Sequence, residues 1–213
     1  MITDGRVIPY DSVKRTLDLV GASVFFVLSL PVQGVVAIAI ASKLGRPVLF
    51  RQQRPGRDGR IFTLIKFRTM RDTDPARDWI TDEQRLTSFG AGLRSTSLDE
   101  LPTLINVIKG DMSIVGPRPL LVSYLERYSL TQARRHEVRP GVTGLAQVSG
   151  RNAIGWDEKF ALDVEYVDKR SLRTDAWILC RTLISVLRRD GISAGGHVTA
   201  HEFVRSGESD GSA

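Results

Sequence analysis

Cysteine is almost absent from this sequence, because its 213 residues include a single one, Cys180. One cysteine cannot form an internal disulfide, which excludes a disulfide-stabilised secreted domain and indicates a reducing compartment for most of the chain. Cys180 lies in an apolar run, so we expect it to be a small side chain of the core.

Residues 1–13 are polar and lack the charged, apolar and cleavage regions of a signal peptide, so we expect the N-terminus to be retained. Charged residues are absent between Leu19 and Ser42, and about 20 apolar residues are enough for a helix to cross a bilayer. No second run of comparable length and apolar character occurs. The sequence therefore predicts one membrane segment, close to the N-terminus.

Pro31 lies near the middle of this segment, where it should break or kink the helix and where Ser29 or Gln33 would supply polar partners for the backbone. Each half is only about 18 Å long, too short for a hydrocarbon core of about 30 Å. Basic residues flank both ends, which favours a hairpin with both flanks in the cytoplasm. A kinked helix that spans the bilayer is the alternative, because membrane helices tolerate proline.

Basic residues outnumber acidic ones, 30 to 24, and the formal net charge is +6. This balance favours a partner that carries phosphate, which nucleic acids, anionic membranes and phosphorylated small molecules all do. The length allows one domain, or one domain with an appendage.

Local patterns predict both strands and helices. Residues 47–53 and 60–69 are rich in β-branched and aromatic residues and are separated by turn-forming dipeptides, which indicates a β-hairpin. Residues 156–168 and 174–190 have apolar residues at helical spacing, so we expect two amphipathic helices. The first should pack on the domain, whereas the second, with Trp177 and several arginines, suits burial and the membrane surface equally well.

Asp99 and Glu100 stand at the start of a short apolar helix, and the turn Gly116-Pro-Arg-Pro119 that follows it presents a guanidinium group. Ser97 to Glu100 fits a capping box, in which the acids only stabilise the helix N-terminus. A pair of acids facing a fixed arginine suits phosphate chemistry equally well. Both interpretations remain open from this stretch alone.

Taken in order, the motifs resemble those of the bacterial sugar transferases, also called monotopic phosphoglycosyl transferases, over nearly the whole chain. The residues that carry the resemblance are Lys14-Arg-Thr-Leu-Asp18, Pro47-Val-Leu-Phe-Arg-Gln-Gln-Arg-Pro-Gly56, Lys66-Phe-Arg-Thr-Met70, Leu98-Asp-Glu-Leu-Pro102, Asn106-Val-Ile-Lys-Gly-Asp-Met-Ser113, Gly116-Pro-Arg-Pro119 and Arg139-Pro-Gly-Val-Thr-Gly144. The compact length and the residues Gly150-Arg-Asn-Ala-Ile154 are most similar to the small members, which transfer diacetylbacillosamine phosphate or a related amino sugar phosphate.

The resemblance implies an enzyme that transfers a sugar 1-phosphate from a UDP-sugar to undecaprenyl phosphate and releases UMP. In the family, an aspartate attacks the β-phosphate, and the sugar-phosphoryl enzyme then reacts with the lipid phosphate. By motif position Asp99 is the nucleophile, and Glu100 beside it is a metal partner or proton acceptor. The implied cofactor is Mg²⁺, with both acids as its ligands, because bare carboxylates would repel the diphosphate.

Other site residues are implied in the same way. Lys66, Arg94 and Arg118 match positions expected to bind the substrate phosphates, and Arg151 matches one expected to contact the nucleotide. Relatives carry Ser-Pro at the break in the membrane helix, whereas here Leu30 precedes Pro31 and Ser29 stands one position earlier. The polar group expected to stabilise the break is therefore displaced by one position.

The implied fold is α+β, with an N-terminal proline-broken re-entrant membrane helix, amphipathic interfacial helices and a small globular cytoplasmic domain that contains a β-hairpin. We expect a membrane region at 1–46, a transferase domain at 47–204 and a flexible tail at 205–213. The protein would lie at the cytoplasmic face of the bacterial inner membrane, with both termini in the cytoplasm.

The expected partners are the UDP-sugar, undecaprenyl phosphate and the lipid bilayer, with a homodimer left open and nucleic acid not expected. UDP-GalNAc, UDP-GlcNAc, UDP-Gal and UDP-Glc are alternative donors. An alternative from another class is a basic, membrane-anchored binding module without catalysis. Such a module would tolerate Asp99→Asn and Glu100→Gln, and its affinity would fall steeply with salt.

Overall fold

The computed structural model describes residues 9–150, 154–188 and 203. These residues form short helices and strands around one long helix, which confirms the predicted mixture of the two. In chain order the elements are α1 (Pro9–Lys43), β1 (Leu49–Pro55), β2 (Ile61–Phe67), α2 (Asp82–Arg85), α3 (Ser88–Ser95), α4 (Leu104–Lys109), β3 (Ser113–Val115), α5 (Leu130–Ala133), β4 (Gly141–Thr143), α6 (Leu145–Ser149), α7 (Trp156–Lys169) and α8 (Leu172–Arg188). Segments of 3₁₀ helix cover Arg57–Gly59, Pro75–Arg77, Leu98–Thr103, Val122–Arg127 and Arg134–Glu137.

The predicted β-hairpin is confirmed. Strands β1 and β2 pair in antiparallel fashion, with Leu49 opposite Phe67 and Pro55 opposite Ile61. In the turn between them Gly59 has a φ of 72°, a left-handed conformation that glycine adopts without steric cost.

A second, smaller sheet joins parts of the chain that are distant in sequence. Strands β3 and β4 pair in parallel, with Ser113 opposite Gly141 and Val115 opposite Thr143. This pairing sets the Gly116 to Pro119 turn, which follows β3, beside the glycine-rich segment around β4.

Helix α1 has the length and composition of a membrane-crossing helix, with a mean hydropathy of 2.3 in an 18-residue window. Only 22% of that window is buried against the rest of the chain. Leu28 is 72% exposed and Ile38 is 73% exposed. A helix in the core of a water-soluble domain would be mostly buried, so this large apolar surface favours contact with lipid.

The helix continues through Pro31 without interruption, so the predicted break is not confirmed. Polar side chains near the proline bond to each other and to the backbone. Ser29 Oγ donates to the carbonyl oxygen of Phe26 at 3.0 Å, and Gln33 Nε2 donates to Ser29 Oγ at 2.9 Å. Such local partners allow a membrane helix to contain proline.

Both halves of α1 pack against the rest of the chain. In its first half Ala22 is buried in a cluster with Leu64, Leu104, Val107 and Met112. In its second half Val36 and Ile40 are buried in another cluster, with Phe67, Leu93 and Leu101. The long helix is therefore attached to the folded domain on both sides of Pro31.

The predicted packing role of α7 is confirmed, because Phe160, Val164 and Val167 are buried. Helix α8 buries Ile178 completely and leaves Trp177 exposed. Cys180 is exposed, so the prediction of a core cysteine is wrong. Residues two positions apart point to different sides of a helix, and burial of Ile178 turns Cys180 outward. The predicted tail, 205–213, lies outside the described residues.

Candidate active site

The predicted acid pair lies in the 3₁₀ segment Leu98–Thr103, directly before α4. Ser97 precedes this segment in a left-handed conformation with φ of 56°, and its side chain makes no capping hydrogen bond. The Glu100 carboxylate contacts side chains of other elements instead of the backbone of Ser97. The capping-box interpretation is therefore wrong, because the reciprocal bonds that define a capping box are not formed.

Glu100 is held between two cations. Its Oε1 accepts a hydrogen bond from Lys66 Nζ of β2 at 2.5 Å and another from Arg118 Nη2 at 3.2 Å. Hydrogen bonds between charged groups are stronger than neutral ones, so they fix the Glu100 carboxylate firmly. The structure thus brings together three of the predicted site residues.

Two buried polar side chains tie the segment that carries the acids to β2. Thr103 Oγ1 donates to the Ile65 carbonyl oxygen at 2.9 Å, and Asn106 Nδ2 donates to the Thr63 carbonyl oxygen at 2.8 Å. Asn106 Oδ1 also accepts from the Ile65 N–H group at 3.1 Å. Because these partners stand just before Lys66, they set the position of Lys66 relative to Glu100.

The two adjacent carboxyl groups have opposite pKa shifts. Burial, with repulsion from Glu100, raises the pKa of Asp99 to about 6, although Lys66, Arg118 and Arg94 oppose this change. Burial would also raise the pKa of Glu100, but Lys66 and Arg118 outweigh it and lower that pKa to about 2. Glu100 therefore stays ionised, while Asp99 is the stronger base, and adjacent acids that differ in this way can take different roles.

Asp99 is buried, with 8% of its surface exposed. Within residues 9–150, 154–188 and 203 its carboxylate makes no hydrogen bond or ion pair. Burying a carboxylate without a partner costs free energy, and groups of this kind concentrate at functional sites. The carboxylate oxygens of Asp99 are thus available to a substrate or a metal ion.

Arg94, predicted to bind phosphate, approaches the acids from α3. Its Nε donates to Thr69 Oγ1 at 3.0 Å. Burial lowers the pKa of Arg94, and the negative charge of Asp99 opposes that shift. Arg94 therefore acts on Asp99 as a nearby charge. Arg151, the predicted nucleotide ligand, lies outside the described residues.

Arg118 stands in a turn that is packed tightly against the chain around β4. A Cβ atom on Gly116 would lie 2.4 Å from the Arg139 carbonyl oxygen, and one on Gly141 would lie 2.1 Å from the Gly116 nitrogen. Two backbones approach so closely only where neither residue carries a side chain. The Arg118 side chain itself is 49% exposed, so a rigid turn presents it to solvent.

A buried ion pair behind this turn was not predicted. Arg135 Nη2 donates to the Arg118 carbonyl oxygen at 2.7 Å and to Asp163 Oδ2 at 2.7 Å. Arg135 and Asp163 are each 3% exposed. Two adjacent arginines, Arg134 and Arg135, are typical of a solvated surface. The partner of Arg135 is 28 positions away in the chain, so the spacing of residues does not identify it. The available signal was Asp163, which shares the face of α7 that carries Phe160.

Arg54 is a further cation near this turn, and from the sequence it was counted only among the basic residues that follow the membrane segment. Its Nη1 donates to the Pro119 carbonyl oxygen at 3.4 Å. Burial, together with the charge of Arg118, lowers its pKa to about 10. Its Nε is buried without a hydrogen-bond partner in the described part of the chain. Arg54 thus adds positive potential next to Arg118.

Asp99 and Glu100 are also the predicted ligands of Mg²⁺. Among the described residues no three His, Cys, Asp or Glu side chains group together as a metal cage would require. Mg²⁺ commonly binds to one or two carboxylates, with substrate phosphates and waters completing its octahedron. An unpartnered Asp99 carboxylate beside Glu100 fits a site of that kind.

Comparison with known sequences relates the chain to one family. The model described as "Bacterial sugar transferase" matches residues 9–189. The uncharacterized sugar transferase EpsL of Bacillus subtilis is 52% identical over 197 residues, which cover 92% of this chain and 97% of that protein.

Relatives with named activities include longer proteins. The galactosyl transferase CpsE of Streptococcus agalactiae is 42% identical over 196 residues, which cover 84% of this chain and 43% of that protein. The UDP-glucose:undecaprenyl-phosphate glucose-1-phosphate transferase of Caulobacter vibrioides is 39% identical over 189 residues, which cover 83% of this chain and 70% of that protein. The chain thus spans nearly all of EpsL but less than half of the galactosyl transferase.

Proposed function

The chain belongs to the bacterial sugar transferase family, and we propose that it is a phosphoglycosyl transferase that moves a sugar 1-phosphate from a UDP-sugar to undecaprenyl phosphate. The second product is UMP. The name of the Caulobacter relative states such a reaction for glucose. The observation that carries the proposal is the buried, unpartnered Asp99 carboxylate beside a Glu100 that two cations hold in place.

The proposed reaction has two displacements at the same phosphorus atom. In the first, an Asp99 oxygen attacks the β-phosphorus of the UDP-sugar, the bond to the bridging oxygen breaks, and UMP leaves with that oxygen. In the second, a phosphate oxygen of undecaprenyl phosphate attacks the sugar-phosphoryl group, which releases the Asp99 carboxylate. The raised pKa of Asp99 makes its carboxylate more basic than an ordinary one, while a large fraction is still ionised at neutral pH.

The cations around the acids suit a diphosphate substrate. Lys66 and Arg118 are already directed at Glu100, and Arg118 has a half-exposed fork that can bind a phosphate through two nitrogen atoms. Arg94 adds positive charge near Asp99. These groups would bind the β-phosphate and offset the charge that develops as UMP leaves.

Asp99 and Glu100 would hold Mg²⁺ together with the substrate phosphates. Bound there, the ion would offset the repulsion between the carboxylates and the diphosphate. Glu100 can serve this purpose because its low pKa keeps it ionised when substrate arrives.

The donor that we favour is a UDP-hexose. The named relatives are galactosyl and glucose-1-phosphate transferases, and they carry no reference to diacetylbacillosamine. The amino-sugar expectation rests on motif resemblance alone and becomes the second candidate.

We further propose that α1 enters and leaves the bilayer by its cytoplasmic face, with the transferase domain at 47–204 and both termini in the cytoplasm. A helix of 35 residues is about 50 Å long, so entry and exit by one face require α1 to bend within the bilayer, and we propose that this bend lies at Pro31. Ala22 before Pro31 and Ile40 after it are both buried against the same folded domain. A crossing helix would carry those two positions to opposite sides of the membrane, which disfavours that alternative.

The test is release of UMP by full-length protein supplied with undecaprenyl phosphate, Mg²⁺ and each UDP-sugar in turn. We expect release with UDP-galactose or UDP-glucose and a loss of at least about a hundredfold in Asp99→Asn. Asp168→Asn, at an exposed position of α7, is the control and should retain activity. Absence of UMP with every donor, or full activity in Asp99→Asn, would overturn the proposal and favour a binding module.

A further inference from the structure

A second basic cavity lies at the N-terminal end of α1, away from the acid pair. It is open to solvent and has a cavity volume of about 40 Å³. Five cationic side chains and three carboxylates line it, and none of the acids or cations assigned to the transfer reaction is among its described lining residues. The cations are Lys14, Arg15, Arg57, Arg139 and Arg170.

The three carboxylates are already occupied. Asp18 accepts hydrogen bonds from Ser113 Oγ at 2.7 Å and from the Ile114 N–H group at 3.1 Å. Asp11 lies 3.5 Å from Arg170, and Glu137 accepts a hydrogen bond from Arg134 at 3.0 Å. Lys14 Nζ lies 2.8 Å from an Asp175 oxygen and 3.8 Å from an Asp18 oxygen, so carboxylates neutralise Lys14 and Arg170 more than the other three cations.

Arg15 and Arg139 have backbone carbonyls as partners where α4 ends. Arg15 donates to the carbonyl oxygens of Val107 and Ile108 at 2.7 and 2.9 Å, and Arg139 Nε donates to that of Gly110 at 2.9 Å. Arg57 has one carboxylate nearby, Asp58, at 3.7 Å and on an exposed surface.

The charge in this cluster is only partly balanced. Burial lowers the pKa of Arg139, and the charges of Arg15 and Arg57 lower it further, although Asp18 and Asp11 oppose this change. The C-terminal end of a helix offers about half a negative charge, against three guanidinium groups. A capping role for Arg15 and Arg139 therefore leaves positive charge that an external anion can balance.

The cavity lies at the level of α1 where its exposed apolar surface begins. Leu17 and Val20 are 55% and 56% exposed, within two turns of Lys14, but they point away from the face of α1 that lines the cavity. An anion in the cavity would thus lie at the depth of lipid headgroups when the apolar part of α1 is in the bilayer.

From the convergence of Arg15, Arg57 and Arg139 on this open cavity, we propose a binding site for a phosphate-bearing anion that is separate from the transfer site. The source that this level along α1 favours is the headgroup of an anionic phospholipid, and free phosphate is the other source. The site does not depend on the transfer reaction, so its failure would leave the proposed function untouched.

The experiment measures the shift in the thermal unfolding midpoint of full-length protein in neutral detergent micelles. Phosphatidylglycerol, phosphatidylcholine and inorganic phosphate, the last against chloride at equal ionic strength, are titrated separately. We expect phosphatidylglycerol to raise the midpoint and phosphatidylcholine to leave it unchanged. Arg57→Gln should weaken the apparent affinity about tenfold, since it removes one charged hydrogen-bond donor. Arg60→Gln, an exposed arginine outside the cavity, is the matched control.

Arg139→Gln gives a second measurement. This variant also loses the hydrogen bond to Gly110, which changes its midpoint without any ligand. The shift that the ligand causes in the variant is therefore compared with the shift that it causes in the wild-type protein. A shift with inorganic phosphate that depends equally on Arg57 would support the site and assign it to soluble phosphate. Shifts that Arg57→Gln and Arg139→Gln leave unchanged, with either source, would overturn the proposal.

Discussion

Lys66 Nζ lies 2.5 Å from Glu100 Oε1, although the two residues are 34 positions apart in the chain. This hydrogen bond helps to keep one of two neighbouring acids ionised. Glu100 is stabilised as a carboxylate by Lys66 and Arg118, whereas Asp99, one residue earlier, is buried without a partner in the described chain. The different pKa values of the two acids thus follow from the positions of Lys66 and Arg118, and the proposed roles rest on that difference.

Two glycines of α3 offer a matched test of how Arg94 is placed. A Cβ atom on Gly90 would lie 1.8 Å from the Thr69 carbonyl oxygen, while nothing lies within 4 Å of one on Gly92. Gly90→Ala must push α3 away from Thr69, whose hydroxyl holds Arg94. We expect it to lower the free energy of unfolding by about 2 kcal/mol and to reduce transfer. Gly92→Ala should raise the free energy of unfolding by about 0.5–1 kcal/mol. Thermal unfolding of the two variants checks both signs, and equal effects would contradict this packing.

Arg135 and its neighbour Arg134 form ion pairs with very different burial. Arg135 with Asp163 is enclosed, whereas Arg134 with Asp168 is on the surface. Removal of one partner from a buried pair leaves an uncompensated charge, so Asp163→Asn should cost about 3–5 kcal/mol of unfolding free energy. The double variant Arg135→Met with Asp163→Leu should recover part of that loss, and Arg134→Gln should have little effect. If Asp163→Asn and Arg134→Gln unfold alike, the buried pair does not stabilise the turn that carries Arg118.

His136 predicts a dependence of stability on pH. Burial and the charge of Arg135 lower its pKa to about 4, and Nδ1 lies 3.1 Å from the Gly56 carbonyl oxygen. The unfolded chain, with a pKa near the ordinary value of about 6.5, binds more protons between pH 4 and 6.5. Stability from His136 is therefore complete above pH 6.5 and is lost as the pH falls toward 4, by up to about 3 kcal/mol.

The variant His136→Asn keeps a donor for Gly56 and cannot titrate in this range. Its unfolding free energy should fall less than that of the wild-type protein between pH 6.5 and 4, as measured by denaturant titration. Parallel curves for the two proteins would show that His136 is not kept neutral by the fold.

The arrangement of α1 predicts where its two flanks lie. A cysteine at position 3, in a Cys180→Ser background, should resist a membrane-impermeant thiol reagent in intact cells and react after permeabilisation. Ile80→Cys in the same background, at an exposed site of the domain, is the internal control and should behave identically. Labelling of position 3 alone in intact cells would establish a true crossing.

Local patterns predicted the features that depend on neighbours in sequence. The β-hairpin, the packed face of α7 and the single long apolar helix are all encoded by periodicity and turn residues. The motif resemblance identified Lys66, Glu100 and Arg118 as site residues, and the fold brings these three together.

Features that depend on pairing across the chain were not predictable from spacing. The capping box at Ser97 failed because tertiary contacts drew Glu100 to another element. Arg135 and Asp163 are joined only when α7 packs against the segment before β4, and Cys180 is exposed because Ile178 determines which side of α8 faces the domain. The basic cavity likewise combines residues from α1, the hairpin turn and the chain around β4.

The central claim is that Asp99 becomes covalently attached to the sugar phosphate. The most direct measurement is the intact mass of the full-length protein after incubation with Mg²⁺ and the UDP-sugar that supports UMP release, without undecaprenyl phosphate. We predict a mass increase equal to one sugar phosphate, lost on addition of undecaprenyl phosphate and absent in Asp99→Asn. A mass increase of the same size in Asp99→Asn, or none in a wild-type protein that still releases UMP when the lipid is present, would contradict the account.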